Sequence, residues 1–171
     1  MKIVELNKEM AIKYSDEIVG LHNLIPFQRW SKKDLFLERD VKRVFKYKWD
    51  ISSLCFIENI LSGFCIAFED AESEINGIRN FLYLHRIAVC ERNRLMDVGT
   101  NLIRYTCEKY KKMNLEKTKK IIVKTPINSL NGVTFDCVED FYLKLGFERI
   151  GLDRDKNKVD AILIASLSRV V

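Results

Sequence analysis

The chain has 171 residues, with 29 Lys and Arg against 24 Asp and Glu, for a formal net charge of +5. With 47% hydrophobic and 31% charged residues but only 7 Gly and 2 Pro, it reads as one globular domain over residues 1–171, which excludes collagen-like, low-complexity and Pro-rich linker architectures. No apolar run nears the roughly 20 residues of a membrane helix, the first residues carry no apolar signal core, and the five cysteines (Cys55, Cys65, Cys90, Cys107 and Cys137) are odd in number and scattered, so the expectation is a cytoplasmic chain with reduced thiols, no disulfide framework and no metal site.

Met10, Tyr14, Ile18, Leu21 and Ile25 recur at spacings of three and four and predict a helix ended by Pro26. Ser31 with Asp34 resembles a capping box, ahead of a second helix carrying Leu35, Val41, Val44 and Phe45. Leu54 to Ile57 and Leu61 to Phe68 predict a hairpin that turns at Glu58, Asn59 and Ile60. A charged turn, Glu69 to Gly77, leads into a longer strand, Phe81 to Val89. From Asp97 to Met113 the apolar residues Val98, Leu102, Ile103, Tyr105, Cys107, Tyr110 and Met113 cover one arc of a helix, with Arg104, Glu108, Lys111 and Lys112 opposite. The lysine-rich run from Lys109 to Lys120 reads as a solvated helix end, and the mild positive excess does not by itself argue for nucleic acid.

Lys120 to Lys124 predicts a strand. Asp136 with Glu139 marks a helix whose apolar side is Val138, Phe141, Tyr142 and Leu145, and Gly146 stands where its C-cap is expected. Phe147 to Leu152 and Val159 to Leu167 are the last strands, the latter apolar enough to be buried on both faces. The order of elements defines a mixed α/β domain with a helix-crossed sheet.

The segment Phe81 to Ile103 carries the chemistry. It is a strand, a polar loop with Arg92 and Arg94, and a glycine at a helix start. Unpaired N–H groups at a helix N-terminus, the helix dipole, nearby guanidinium groups and the close approach allowed by Gly99 together suit an anion such as a phosphate. The same residues also suit an ordinary strand–loop–helix connection.

A second segment, Val138 to Phe147 (VEDFYLKLGF), adds to this. Ala88-Val89 at the strand end, Arg94-Leu95-Met96-Asp97-Val98-Gly99 in the loop, and Phe141-Tyr142 followed by Gly146-Phe147 together resemble, in their order and separation, the GNAT superfamily of N-acetyltransferases. The resemblance runs over essentially the whole chain. It implies a single-domain GNAT-like α/β fold, a mixed central β-sheet flanked by helices, and acetyl-CoA as the donor without a metal. It places pantetheine beside Ile87, Ala88 and Val89. It places the pyrophosphate over the amides of Arg94, Leu95, Met96, Asp97, Val98, Gly99 and Thr100. Asn128 stands about where the family often has an asparagine near the cofactor. Asp97 departs from the pattern: it replaces the loop's first glycine, sets a carboxylate beside a diphosphate, and has a side chain able to cap the N–H groups the phosphates would use.

Tyr142 matches the family tyrosine near the CoA sulfur, implying an acid for the leaving thiolate, although a packed core tyrosine has the same pattern. Strand alternation sends Tyr83, His85, Ile87 and Val89 to one face. His85 resembles a histidine that some small-amine acetyltransferases use as a base, a role suited to an imidazole near pKa 6.5, and a structural histidine is the alternative. Glu69 and Glu72 are weaker candidates for base or amine anchor, and His22 reads as structural. Pro26, Phe27, Trp30 and Trp49 are candidate walls of an acceptor pocket. The implied reaction moves acetyl to a primary amine of a small molecule, peptide or protein by direct attack in a ternary complex. The implied partners are acetyl-CoA and that amine, with no membrane, no nucleic acid except aminoacyl-tRNA as an acceptor, and a monomer or homodimer. An acyl-CoA-binding protein without efficient turnover is the alternative.

Overall fold

The computed structural model describes residues 1–25, 29–36, 47–113, 120–126, 129–130, 133–134, 138–155 and 158–170. Strand β1 (Lys2–Glu5) comes first; at four residues it is too short to show a period in the sequence. The single helix expected next is two, α1 (Lys8–Lys13) and α2 (Ser15–Asn23), because Tyr14, at φ −107 and ψ 21, leaves the helical region between them. Asn7 caps α1, its Oδ1 accepting the Met10 N–H at 2.9 Å. The capping box forms as expected: Ser31 N–H donates to the Asp34 carboxylate at 2.7 Å and Asp34 N–H to Ser31 Oγ at 3.3 Å. It opens α3 (Lys32–Phe36). Val41, Val44 and Phe45, expected in the same helix, lie outside the described residues, and a short α4 (Lys48–Ile51) follows.

The remaining strands are β2 (Ser53–Ile57), β3 (Ile60–Asp70), β4 (Phe81–Val89), β5 (Lys120–Pro126), β6 (Ser129–Leu130), β7 (Val133–Thr134), β8 (Glu148–Asp155) and β9 (Lys158–Ser166), and the remaining helices are α5 (Val98–Lys112), α6 (Val138–Lys144) and α7 (Leu167–Val170). Seven strands form one sheet in the order β1-β2-β3-β4-β5-β9-β8, while β6 pairs only with β7. Every neighbouring pair in the large sheet is antiparallel except β4 with β5. The β2–β3 hairpin turns at Glu58 and Asn59, both at positive φ (51 and 63), the backbone that matches strand twist in tight hairpins.

Helix–sheet packing sorts the apolar residues into layers. On one face Leu102, Ile103 and Tyr110 of α5 and Tyr142 of α6 pack on Cys65, Leu82, Leu84, Val123 and Leu163. On the other, Ala11, Ile18 and Leu35 pack on Leu54, Phe64, Ile66 and Ala88. A smaller cluster, Phe81, Ile122 and Ile162, continues that second face. Strand β9 is buried on both sides as expected, Leu163 in one layer and Ile162 in another. Cys55, Cys65 and Cys107 are buried free thiols, Cys90 is a partly exposed one, and Cys137 lies outside the described residues. No helix among the described residues is long and apolar enough to cross a membrane.

Candidate active site

The parallel pair at the centre of the sheet is incomplete. Strands β4 and β5 pair at Leu82–Ile121, Tyr83–Ile122 and Leu84–Val123 and then part. Beyond that point β4 keeps to β3, through Cys65–Ile87, Phe64–Ala88 and Gly63–Val89, while β5 keeps to β9 as far as Pro126–Asp160. Cys90 N–H bonds the Ser62 carbonyl, so by antiparallel alternation Ala88 faces β3, while the backbone groups of Ile87 and Val89 face the opening without a ladder partner. The cause is a β-bulge: Ile66 pairs with Arg86 and Ala67 with Leu84, so His85 and Arg86 together oppose one residue. A bulge sharpens the twist and bends the strand away from its neighbour. Two buried polar atoms, Arg86 Nε on β4 and Thr125 Oγ1 on β5, have no partner among the described residues. Each residue stands two positions past the last pair between β4 and β5, Leu84–Val123. Orphaned buried polar atoms are costly, and a matched pair of them beside an open seam marks a place for a polar ligand.

The seam ends at the start of α5. A single 3₁₀ turn, Glu91–Asn93, precedes the loop, in which Leu95 (φ 70) and Asp97 (φ 56) adopt the left-handed backbone. Asn101 N–H bonds the Asp97 carbonyl at 2.9 Å, whereas among the described residues the amides of Leu95, Asp97, Val98, Gly99 and Thr100 donate to no backbone carbonyl. The Asp97 side chain, though able to cap the helix, makes no capping hydrogen bond, so those N–H groups stay available. Asp97 fits the glycine position because short polar side chains tolerate left-handed angles. Arg92 and Arg94 are exposed beside the loop.

Close packing holds this helix terminus against the strand end. A Cβ on Gly63 would stand 3.0 Å from the Ala88 carbonyl and 3.1 Å from Val98 Cγ1, and one on Gly99 would stand 3.1 Å from Phe141 Cζ. Strands β3 and β4 and helices α5 and α6 thus converge so closely that a side chain at either glycine would crowd its neighbours.

Tyr142 lies in the layer under α5 and α6, 2% exposed, with its ring set edge-on to Phe141 (5.1 Å) and Phe147 (5.4 Å). Burial pushes its phenol far above the usual range, so it stays protonated across the working pH range. Helix α6 ends at Gly146, at φ 89, and Phe147 N–H returns to the Tyr142 carbonyl at 3.1 Å, the glycine-capped ending its sequence predicts. Glu139, buried on the same helix, takes both arms of the Arg149 guanidinium and ties α6 to β8.

The structure corrects the face expected for His85. The bulge breaks the alternation, so Ile87 and Val89 pack into the layer under α5, while His85 joins Trp30, Phe68 and Tyr83 at centroid distances of 6.3, 5.4 and 5.9 Å. Its imidazole is pushed down to about 3, first by burial and then by the charges of Arg86, Lys48 and His22. It is therefore a neutral ring at pH 7 and a poor acceptor of an ammonium proton. Glu69 accepts a hydrogen bond from the Tyr110 hydroxyl at 2.5 Å, which engages it under α5, and Glu72 is exposed in the turn after β3. His22, 1% exposed, stacks on Trp30 at 4.5 Å. Trp49 packs against Phe36 at 6.1 Å. Pro26, Phe27 and Asn128 lie outside the described residues. No cluster of His, Cys, Asp and Glu suited to a metal ion occurs among the described residues.

Sequence reasoning missed Arg86 and Thr125. The signal for Arg86 was present, a guanidinium inside the otherwise apolar run FLYLHRIAV, where a local rule broken without a visible reason points to a site.

The seven-stranded mixed sheet with a parted central pair, helices on both faces and a helix terminus at the opening is the fold of the GNAT N-acetyltransferases. Arabidopsis thaliana Naa50, in complex with the bisubstrate analogue CoA-Ac-MVNAL, is similar to this chain with a TM-score of 0.68 at 14% identity, over 96% of this chain and 97% of that one. The NatC complex bound to Gag peptide and CoA aligns with a TM-score of 0.68 at 16% identity, covering 97% and 99%. The aminoglycoside 6'-N-acetyltransferase from Enterococcus faecium aligns at 0.64 and 20% identity, covering 98% and 97%. No protein-family model matches the chain, and no curated protein matches it in sequence.

Proposed function

We propose that this protein transfers an acetyl group from acetyl-CoA to an amine. The observation that carries the reading is the β4–β5 seam opening onto a helix N-terminus with five amides that donate to no backbone carbonyl among the described residues. The free edges of Ile87 and Val89, on either side of Ala88, suit the amide groups of a pantetheine arm. The N–H groups of Leu95, Asp97, Val98, Gly99 and Thr100, with Arg92 and Arg94 beside them, suit a diphosphate. Solved neighbours of this fold that hold CoA support the donor.

In the reaction, a neutral amine attacks the thioester carbonyl. The new C–N bond forms, the C–S bond breaks, and Tyr142 gives its hydroxyl proton to the leaving sulfur and regains one from water. Backbone N–H at the free edge of Val89 steadies the oxyanion. With His85 held neutral and weakly basic, the surplus amine proton leaves to water, and acceptors that arrive unprotonated are favoured.

A second reading, acyl-CoA binding without turnover, is favoured by Asp97, an exposed acidic residue at the N-cap of α5. Calorimetry with acetyl-CoA and thiol release over a panel of amines separate the two. Heat on binding with thiol release is expected. Binding without release for any amine transfers the assignment to the second reading, and no heat with acetyl-CoA or CoA overturns both. The Asp97→Gly variant is expected to bind acetyl-CoA several-fold tighter, since two charges about 4 Å apart in water-like surroundings repel by about 1 kcal/mol.

A further inference from the structure

The bulge in β4 does more than part the strands. By placing His85 and Arg86 together opposite Ile66, it sends both side chains toward Trp30 on the α2 side of the opening. The Arg86 guanidinium carbon stands 5.9 Å from the centre of the Trp30 ring. Its Nη1 donates to the His85 carbonyl at 2.8 Å, which fixes the fork. Its Nε is buried and donates to nothing among the described residues. Asp160 and Tyr83 act on Arg86 through space, which leaves the charge in place but does not engage that donor. A buried guanidinium donor left without a partner, beside the Trp30 ring and next to the His85 ring that Phe68 and Tyr83 surround, suits a carbonyl or carboxylate oxygen.

Resting on the acyl-transfer reading above, we infer that the acceptor is an α-amine, whose neighbouring carbonyl or carboxylate oxygen is held by Arg86 while the Trp30, Phe68 and Tyr83 rings take an apolar side chain. A free amino acid and a peptide N-terminus share this chemistry. The weak basicity of His85 points the same way. At pH 7 a peptide α-amine of pKa about 8 is neutral in roughly a tenth of molecules, whereas a lysine amine of pKa about 10.4 is neutral in fewer than roughly one in a thousand. A site without an effective base selects the former. The positive charges of Arg86 and Lys48 also disfavour acceptors that bring several ammonium groups.

The test is equilibrium binding followed by Trp30 fluorescence in a Trp49→Phe background, with L-phenylalanine, L-phenylalaninamide, 2-phenylethylamine and Nα-acetyl-L-lysinamide as probes and CoA present. Acetyl-CoA affinity is measured separately by calorimetry. L-phenylalaninamide or L-phenylalanine is expected to bind at least about ten-fold tighter than 2-phenylethylamine, as a charged hydrogen bond supplies. Arg86→Gln should erase that ratio with acetyl-CoA affinity unchanged, and Arg86→Lys should restore it only in part. A preference for the free acid marks an amino-acid acceptor, and a preference for the amide marks a peptide N-terminus; either supports the inference. Equal binding of 2-phenylethylamine or the lysine amine, no acceptor binding, or a ratio that survives Arg86→Gln overturns it. Loss of acetyl-CoA binding in the wild type counts instead against the acyl-transfer reading, because the acceptor ratios are read independently of turnover.

Discussion

His85 makes the fold sensitive to acid. Its imidazole sits among Trp30, Phe68 and Tyr83, and burial with the Arg86, Lys48 and His22 charges holds it down to about 3, against 6.5 for an ordinary histidine. The unfolded chain therefore takes a proton at this residue below about pH 6.5, while the folded chain refuses it until about pH 3. The folded pKa is depressed, so stability is fully present above 6.5, declines as the pH falls, and flattens only near 3. Between those limits the loss approaches about 1.4 kcal/mol per pH unit. The advantage of the protonated unfolded histidine is about 0.2 kcal/mol at pH 7 and about 2 kcal/mol at pH 5. His85→Leu keeps an apolar group in the cluster and removes the titration. Urea unfolding at a series of pH values, followed by tryptophan fluorescence and circular dichroism, measures the difference between wild type and variant, which cancels the carboxylates common to both. Lowering the pH from 7 to 5 should cost wild type about 2 kcal/mol more than His85→Leu. Parallel stability curves, or a His85 ring resonance titrating near neutrality in the folded protein, would refute the burial argument.

Gly63→Ala forces a methyl to 3.0 Å from the Ala88 carbonyl, a backbone atom that cannot swing aside; thermal unfolding should show a loss of about 1–3 kcal/mol. Glu139→Ala cuts α6 from β8, but Arg149 is half exposed and can turn to water, so denaturant unfolding should show about 1–2 kcal/mol lost rather than the larger cost of a buried widowed charge. Tyr142→Phe removes a hydroxyl with no hydrogen-bond partner among the described residues; stability should stay within about 1 kcal/mol. If the residue is the acid, turnover in the thiol-release assay should fall at least about a hundred-fold. Unchanged turnover would leave Tyr142 as a core residue.

Much of the architecture follows from local chemistry that is written in the chain. Phe81–Val89 forms a strand over the limits its apolar run predicts, and the α5 arc, the Ser31–Asp34 box and the Gly146 cap all form as their residue types require. These features depend on neighbours in sequence, and their physics acts at that range. The loop from Arg94 to Thr100 is legible for the same reason, since unpaired amides belong to any helix start.

Tertiary structure decided the rest. Alternation put His85 on the face of Ile87 and Val89, but the bulge depends on how β4 registers against Ile66 and Ala67 of β3, a strand held by pairing rather than by its own residues. The bulge in turn decided that β5 parts from β4, that Arg86 and Thr125 keep buried, unpartnered atoms beside the opening, and that a histidine with an ordinary pKa in isolation loses its basicity. Register, burial and the field of distant charges arise from residues far apart in the chain, so no local pattern carries them.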